Sequence, residues 1–254
     1  MPFATVTGRR IQYRMIPGEA LRPTLVFLHE GLGSMALWRD FPDSLARRLG
    51  APALVYSRFG YGQSDGLMRE RSVRFMHEEA LDVLPPLLDQ LGILCPLLIG
   101  HSDGASIALI HAADAGRPVH GLVLMAPHVF VEPVTVEAIA RIREAYRTTD
   151  LKERLAKYHA RVDDAFLGWA DTWLRPEFLS WSIEGLLPRV EAPMLLIQGE
   201  DDEYGTLDQL DRIAAKAPGR SRRLVLSRCG HSPHRDQEAA VLDAVASFAT
   251  GLSP

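Results

Sequence analysis

A serine lies at the centre of the run Gly100-His101-Ser102-Asp103-Gly104, directly after the apolar residues 96–99 and before the helical pattern of residues 105–110. A G-x-S-x-G run between a strand and a helix is typical of a sharp turn that holds the serine hydroxyl exposed above a sheet. Glycine is expected at both ends of the run, because the strand and the helix approach too closely for a Cβ atom. Ser102 is therefore the candidate nucleophile.

Ser102 needs three further groups, because a serine hydroxyl is a weak nucleophile at neutral pH. These are a base, an acid that orients the base, and hydrogen-bond donors for an oxyanion. Acidic residues follow one predicted strand in the turn 199–203, and histidines follow the next predicted strand in the run 228–234. Polar groups at the carboxyl ends of parallel strands share one edge of the sheet. The order along the chain is therefore serine, acid, histidine.

Buried strands alternate with helical patterns along most of the chain. Strands buried on both faces, as in a parallel sheet, are predicted at 24–28, 52–56, 96–99 and 121–126, and further strands are predicted at 193–198 and 223–227. Residues 3–16 predict an antiparallel hairpin before them. Helices are predicted at 36–49, 71–91, 206–217 and 236–248. Pro85-Pro86 predicts a break within the second of these helices. The alternation predicts an α/β fold with helices on both faces of a mostly parallel sheet.

The strand pattern disappears between residues 128 and 189, where helical patterns cover 137–147, 151–160 and 163–174. An insertion of this length is too long for a plain loop. We therefore predict two domains. Residues 1–127 and 190–254 form the core domain, and residues 128–189 form a helical cap.

The composition is ordinary for a soluble globular protein, and the partner expected for this chain is a small-molecule substrate. Hydrophobic residues make up 47% of the chain, charged residues make up 24%, and the net charge is −4 without a basic block. These values favour neither nucleic acid nor a membrane as a partner. The first residues show no secretory signal, so a cytoplasmic protein is expected. Cys95 and Cys229 form neither a disulfide framework nor a metal-ligand spacing, and no cofactor or metal is predicted. The sequence leaves the oligomeric state open.

Six features, taken in this order, resemble the α/β-hydrolase fold superfamily, and the resemblance covers nearly the whole chain. They are the loop 29–34, the loop 59–64, the run 100–104, the cap, the acidic turn 199–203 and the pair Gly230-His231. The chain is similar to serine hydrolases with a helical cap, such as carboxylesterases and meta-cleavage-product hydrolases. The resemblance implies the α/β-hydrolase fold, with the cap inserted after the sixth strand of a mostly parallel central sheet.

The resemblance also implies three catalytic roles, with Ser102 as nucleophile, His231 as base and Asp202 as acid. His231 matches the Gly-His pair that follows the last strand in the family, whereas His234 is expected on a pocket wall or on the surface. Asp202 stands three positions after the turn glycine, as the acid does in the family. The adjacent Asp201 is the alternative acid.

The oxyanion donors implied by the resemblance are the backbone N–H groups of Asp103 and Gly31. Relatives usually have a glycine where this chain has Glu30. Two acidic side chains, those of Glu30 and Asp103, would then flank the oxyanion. Either each turns to solvent or hydrogen-bonds the loop, or one is held near the site, where it repels anionic substrates or places a water molecule.

Further residues are candidates for the substrate pocket because they lie beside these loops or in the cap. They are Glu30, Trp38, His128, Trp169, Trp173 and Tyr204.

The expected function is that of a serine hydrolase that cleaves a carboxylic ester or thioester through an acyl-enzyme. The nearest alternative is hydrolysis of a carbon–carbon bond in a dienoic ring-fission product, since such enzymes share the serine turn, the cap and the size. Haloalkane dehalogenases and epoxide hydrolases of this fold carry aspartate at the nucleophile position, so Ser102 argues against both. Two functions of another class are a non-catalytic ligand receptor and a cofactor-free oxidative enzyme on the same scaffold.

Overall fold

The computed structural model describes residues 2–252, and the strands of this part of the chain form one sheet of eight. They are β1 (Phe3–Val6), β2 (Arg9–Ile16), β3 (Leu25–Leu28), β4 (Ala53–Tyr56), β5 (Leu97–His101), β6 (Gly121–Met125), β7 (Met194–Gly199) and β8 (Ser221–Leu226). Their order across the sheet is β1-β2-β4-β3-β5-β6-β7-β8. The pairs β1–β2 and β2–β4 are antiparallel, and all the other pairs are parallel. The predicted hairpin and the mostly parallel sheet are both confirmed.

The central strands are buried along their whole length, which explains their unbroken apolar runs. Alternate residues of β3 enter two separate hydrophobic cores. Val26 and Leu28 belong to the core on one face of the sheet, and Leu25 and Phe27 belong to the core on the other. The sheet therefore needs helices on both faces.

Helices cover both faces of the sheet. They are α1 (Phe41–Leu49), α2 (Phe75–Glu78), α3 (Leu84–Gln90), α4 (Asp103–Asp114), α5 (Pro133–Thr148), α6 (Leu151–Ala156), α7 (Val162–Trp173), α8 (Asp208–Lys216), α9 (Pro233–Asp236) and α10 (Glu238–Thr250). Helices α1 and α10 pack against each other over one face, and α4 packs over β3, β5 and β6 on the other. No helix within residues 2–252 is long and apolar enough to cross a membrane.

The prolines at 85 and 86 lie in the first turn of α3, where a missing N–H costs no helical hydrogen bond. A wide π turn, Glu79–Val83, connects α2 to α3. The predicted break is therefore a change of hydrogen-bonding pattern just before the prolines, since they cannot donate to the preceding turn.

The cap follows the sixth strand, as predicted. Helices α5, α6 and α7 lie between β6 and β7, together with the 3₁₀ turns Pro176–Ser180 and Glu184–Arg189. The exact division into domains at residues 128 and 189 stays a prediction.

The glycine at 104 is predicted to contribute strongly to stability, because a Cβ at this position would overlap the Leu28 carbonyl oxygen. Backbone cannot move aside as a flexible side chain can. We expect Gly104→Ala to lower the free energy of unfolding by about 3 kcal/mol, measured by urea denaturation.

Gly185→Ala is the matched control. Gly185 is exposed, and a Cβ there would meet nothing within 4 Å. Its effect should stay within about 0.5 kcal/mol. Equal stabilities of the two variants would contradict the close approach of α4 to β3.

Candidate active site

Ser102 occupies the turn between β5 and α4 in a strained conformation, with φ 54° and ψ −120°. A positive φ is unusual for a residue with a side chain and costs about 1–3 kcal/mol. Hydrogen bonds hold the turn in place. The Ser102 N–H donates to the Met125 carbonyl at 2.9 Å, and the Ser102 carbonyl accepts from the N–H groups of Ala105 and Ser106 at 2.9 and 3.2 Å. The strain is therefore maintained by the neighbouring strand and the first turn of the helix.

The structure pairs His231 with Asp202. Their Nδ1 and Oδ1 atoms lie 2.8 Å apart, and the Asp202 side chain is 1% exposed. The Asp202 carboxylate also accepts from the Tyr204 N–H at 2.9 Å and from Gln198 Nε2 at 3.1 Å. Asp201, the alternative acid, is exposed. Asp202 thus fixes the imidazole with a proton on Nδ1, which leaves Nε2 to accept one.

The charge of Asp202 prepares His231 to hold a proton. Burial by itself lowers the pKa of His231, but attraction to Asp202 and the hydrogen bond to it raise that pKa above its ordinary value. Burial raises the pKa of Asp202, but the attraction and hydrogen bond of His231 leave it below its ordinary value. The pair is suited to take a proton from a nucleophile and to stabilise the imidazolium that results.

A cavity of about 90 Å³ brings Ser102 and His231 together beneath the cap. Its lining also includes five of the six residues predicted for a substrate pocket, namely Glu30, His128, Trp169, Trp173 and Tyr204. The rest of the lining is Gly31, Leu32, Asp103, Thr135 and Ile139. The carboxyl ends of β3, β5, β6 and β8 and the cap helices α5 and α7 therefore converge on one site.

Trp38 is the exception, and its predicted place in the pocket is wrong. It is 2% exposed and belongs to the core on the opposite face of the sheet. Its ring stacks on Phe41 at 6.1 Å and meets Phe27 edge-on at 5.3 Å. Trp38 ends the 3₁₀ turn Met35–Trp38, and α1 begins soon after it, so its side chain is drawn into the packing of that helix.

His234 also lies in that core, so it is neither a pocket wall nor a surface residue. Its ring is 4.8 Å from that of Trp38, and it is 2% exposed. Burial, with the neighbouring His101, holds the pKa of His234 well below its ordinary value. His101 packs beneath the turn, where its Nε2–H donates to the His231 carbonyl at 2.6 Å.

The two predicted oxyanion donors both line the cavity. Neither the N–H of Gly31 nor that of Asp103 donates a hydrogen bond to any group within residues 2–252. The indole of Trp169 lies where a Cβ on Gly31 would be, so the cap presses directly on this loop. Both N–H groups are available to a substrate oxygen.

The Asp103 side chain is buried rather than turned to solvent. Trp173 Nε1 donates to Oδ1 at 3.2 Å, and Arg58 Nη2 lies 4.0 Å from Oδ2. Burial raises the pKa of Asp103, although the charge of Arg58 acts in the opposite direction. Asp103 therefore connects the serine turn to the cap.

Glu30 lines the cavity, and its carboxylate interacts with two basic side chains that do not. Its Oε2 lies 3.5 Å from His101 Nδ1, and its Oε1 lies 3.4 Å from Arg235 Nη2. Burial tends to raise the pKa of Glu30, but the interactions with His101 and Arg235 hold that pKa well below its ordinary value. A carboxylate is thus held near the site, which is one of the two alternatives that the sequence leaves open.

Sequence reasoning did not identify Leu32, Thr135 and Ile139 as lining residues. Thr135 and Ile139 stand four positions apart on α5, so they lie on one face of the helix. The helical pattern predicts this spacing but not which face meets the site.

His128 is neutral here, since burial lowers its pKa to about 3.

The sequence model of the alpha/beta hydrolase family matches residues 25–244, so the chain belongs to that family. The mouse sn-1-specific diacylglycerol lipase ABHD11 is 27% identical over 154 residues, which are 59% of this chain and 47% of the lipase. The chain thus matches less than half the length of that relative.

Another relative matches over most of its length. The 2-hydroxy-6-oxononadienedioate/2-hydroxy-6-oxononatrienedioate hydrolase 2 of Pseudomonas putida is 27% identical over 238 residues, which cover 82% of this chain and 81% of that protein. Among solved structures, the alpha/beta hydrolase MGS-M2 from a Medee basin deep-sea metagenome library superposes with a TM-score of 0.80. That likeness covers 100% of this chain and 98% of the other at 19% identity, and it shows the shared fold.

The pairing of Asp202 with His231 predicts how the reactivity of Ser102 depends on pH. The measurement is the rate of labelling by a fluorophosphonate, which reacts with activated serine. In Asp202→Asn, we expect the labelling rate to fall roughly 10³–10⁴-fold. The acid limb of the pH profile of labelling should move to lower pH, because the variant lacks the carboxylate charge that raises the pKa of His231.

Asp201→Asn is the matched control, since Asp201 is adjacent but exposed. It should leave the rate and the pH profile unchanged. A larger loss in Asp201→Asn than in Asp202→Asn would show that the acid is assigned wrongly.

Proposed function

We propose that this member of the alpha/beta hydrolase family is a serine hydrolase that cleaves a carboxylic ester or thioester of a small substrate through an acyl-enzyme. One observation carries the proposal. Ser102, held at positive φ, shares a cavity with His231, whose Nδ1 lies 2.8 Å from the buried carboxylate of Asp202. Nucleophile, base and acid of this kind are the groups that acyl transfer to serine requires.

The proposed reaction has two halves. His231 Nε2 takes the proton of Ser102 as Oγ attacks the substrate carbonyl carbon, and the N–H groups of Asp103 and Gly31 stabilise the oxyanion. The imidazolium then gives its proton to the leaving alkoxide or thiolate, which leaves an acyl group on Ser102. In the second half, His231 takes a proton from water as the water oxygen attacks the acyl carbon, and the imidazolium then gives that proton to Ser102 Oγ as the bond to the acid breaks.

The cavity supports a short acyl group. Its volume of about 90 Å³ is smaller than the roughly 150 Å³ cavity that binds benzene in another protein. Trp169, Trp173 and Ile139 make much of its wall apolar. A long acyl chain would require the cap to move away, so we expect acetyl to butyryl esters to be preferred.

Carbon–carbon bond hydrolysis is the second candidate, and the P. putida relative is the observation that favours it, since it matches most of this chain. That protein's name describes a substrate with two carboxylates. The cavity here is lined by Glu30 and Asp103 and by neither lysine nor arginine. Arg58 and Arg235 lie near these two carboxylates but not among the lining residues, so they offer a substrate carboxylate no direct partner in the cavity. This lining supports an uncharged ester more than a dianionic dienoate.

The direct test is turnover of a panel of p-nitrophenyl esters of graded chain length, short acyl thioesters and a dienoic ring-fission compound. We expect hydrolysis of the short esters and its loss in Ser102→Ala. The exposed Ser227 provides the matched control, Ser227→Ala, which should keep full activity.

Faster turnover of the dienoic compound than of any ester would favour the carbon–carbon candidate. Full turnover by folded Ser102→Ala would overturn the hydrolase proposal altogether and favour a cofactor-free reaction on the same scaffold.

The charge of Glu30 predicts a substrate preference. We expect Glu30→Gln to raise kcat/KM for an ester with a terminal carboxylate, relative to a neutral ester of the same length, by about 5- to 50-fold, or roughly 1–2 kcal/mol. The measurement is the ratio of the two kcat/KM values. A ratio that equals the wild-type ratio would show that Glu30 has no part in selecting substrates.

A further inference from the structure

Three donors converge on the carbonyl oxygen of Glu30. His29 Nδ1–H and Arg58 Nη2 each donate to it at 2.8 Å, and the Gly33 N–H donates at 3.0 Å. A carbonyl oxygen has two lone pairs, so this acceptor is fully used. The same peptide unit carries the N–H of Gly31, one of the two proposed oxyanion donors.

The orientation of this peptide fixes the direction of that N–H. No peptide bond within residues 2–252 is cis, and in a planar trans peptide the C=O and N–H bonds point in opposite directions. With the Glu30 oxygen held by three donors, the Gly31 N–H must point to the other side. It has no partner there within residues 2–252, and Gly31 lines the cavity. A flipped peptide would lose all three hydrogen bonds.

Arg58 holds this peptide in two ways. Besides donating to the Glu30 carbonyl, its backbone N–H donates to His29 Nε2 at 3.1 Å. An Nε2 that accepts leaves the ring proton on Nδ1, where it is needed to donate to Glu30. Burial, and next the charge of Arg58, hold the pKa of His29 well below its ordinary value, which keeps the ring neutral.

The guanidinium of Arg58 is buried, with 1% of its side chain exposed. Burial acts to lower the pKa of Arg58, but the electrostatic interactions with Tyr61, Asp103 and Glu79 leave it raised. The charge is therefore retained. A charged donor polarises the carbonyl that it binds, which makes the N–H of the same peptide a stronger donor.

We propose that Arg58 is a positioning residue, which orients and polarises the Glu30–Gly31 peptide so that the Gly31 N–H binds the oxyanion. This inference rests on the proposed function, because an oxyanion forms only if Ser102 attacks a carbonyl. Arg58 itself is not among the residues that line the cavity, so it acts through the peptide.

The test compares Arg58→Met with wild-type Arg58, both in an Asp103→Asn background. Asp103→Asn removes the buried carboxylate that lies 4.0 Å from Arg58, so the comparison does not leave that charge unpaired. The measurements are kcat and KM for p-nitrophenyl acetate and the inhibition constant of a short alkyl trifluoromethyl ketone. Serine adds to this ketone to form a tetrahedral oxyanion, so its affinity reports the oxyanion donors directly.

We expect kcat to fall about 10- to 100-fold, somewhat less than the loss on deleting a donor outright. KM should change little, and the inhibition constant of the ketone should rise by the same factor as kcat falls. Arg58→Lys in the natural background keeps the charge but loses the planar fork. In Arg58→Lys, kcat should fall and the inhibition constant should rise by a smaller common factor. This variant provides the test if Arg58→Met does not fold.

Unchanged kcat and inhibition constant in a folded variant would overturn the inference. A fall in kcat without a matching rise in the inhibition constant would overturn it too. A purely structural defect lowers the fraction of active protein, but the molecules that stay active bind the ketone as tightly as before. Failure of the proposed function is distinguishable, since folded Ser102→Ala would then hydrolyse p-nitrophenyl acetate as fast as wild type.

Discussion

Helix α4 begins so close to the end of β3 that position 104 has no room for a side chain. This contact determines much of the site. It draws the Asp103 N–H beside the loop that carries Gly31, so donors from two distant parts of the sequence line one cavity. Ser102, two residues before this contact, has a positive φ at the top of the turn. The strain is tolerated because β5 on one side and residues 103–111 of α4 on the other are buried and hold the turn in place.

Buried charge surrounds this contact, and each charge has a counterpart. Arg58 lies 4.0 Å from Asp103, and Arg235 lies 3.4 Å from Glu30. Breaking one partner of a buried pair is costly, since the other is left uncompensated. These pairs therefore hold the serine turn, the loop after β3 and the histidine loop in a fixed relation.

Local pattern was enough to predict the strands, the serine turn and the order of the candidate residues, because each depends on a few consecutive side chains. Asp202 and His231 follow strands that end at the same edge of the sheet, so their meeting follows from topology. Trp38 and Arg58 are residues whose positions local sequence pattern could not predict. The direction of Trp38 depends on how α1 packs, and the place of Arg58 depends on the Glu30 carbonyl, which lies far away in sequence. Neither contact leaves a signal in the residues nearby.

The most direct test of the account is to trap the acyl-enzyme. The protein would be mixed with p-nitrophenyl butyrate, quenched in acid during turnover and analysed by intact-protein mass spectrometry and peptide mapping. We expect one added butyryl group, located on the peptide that contains Ser102 and absent in Ser102→Ala. Rapid turnover with no adduct at any quench time, or an adduct that persists at another residue in Ser102→Ala, would contradict it.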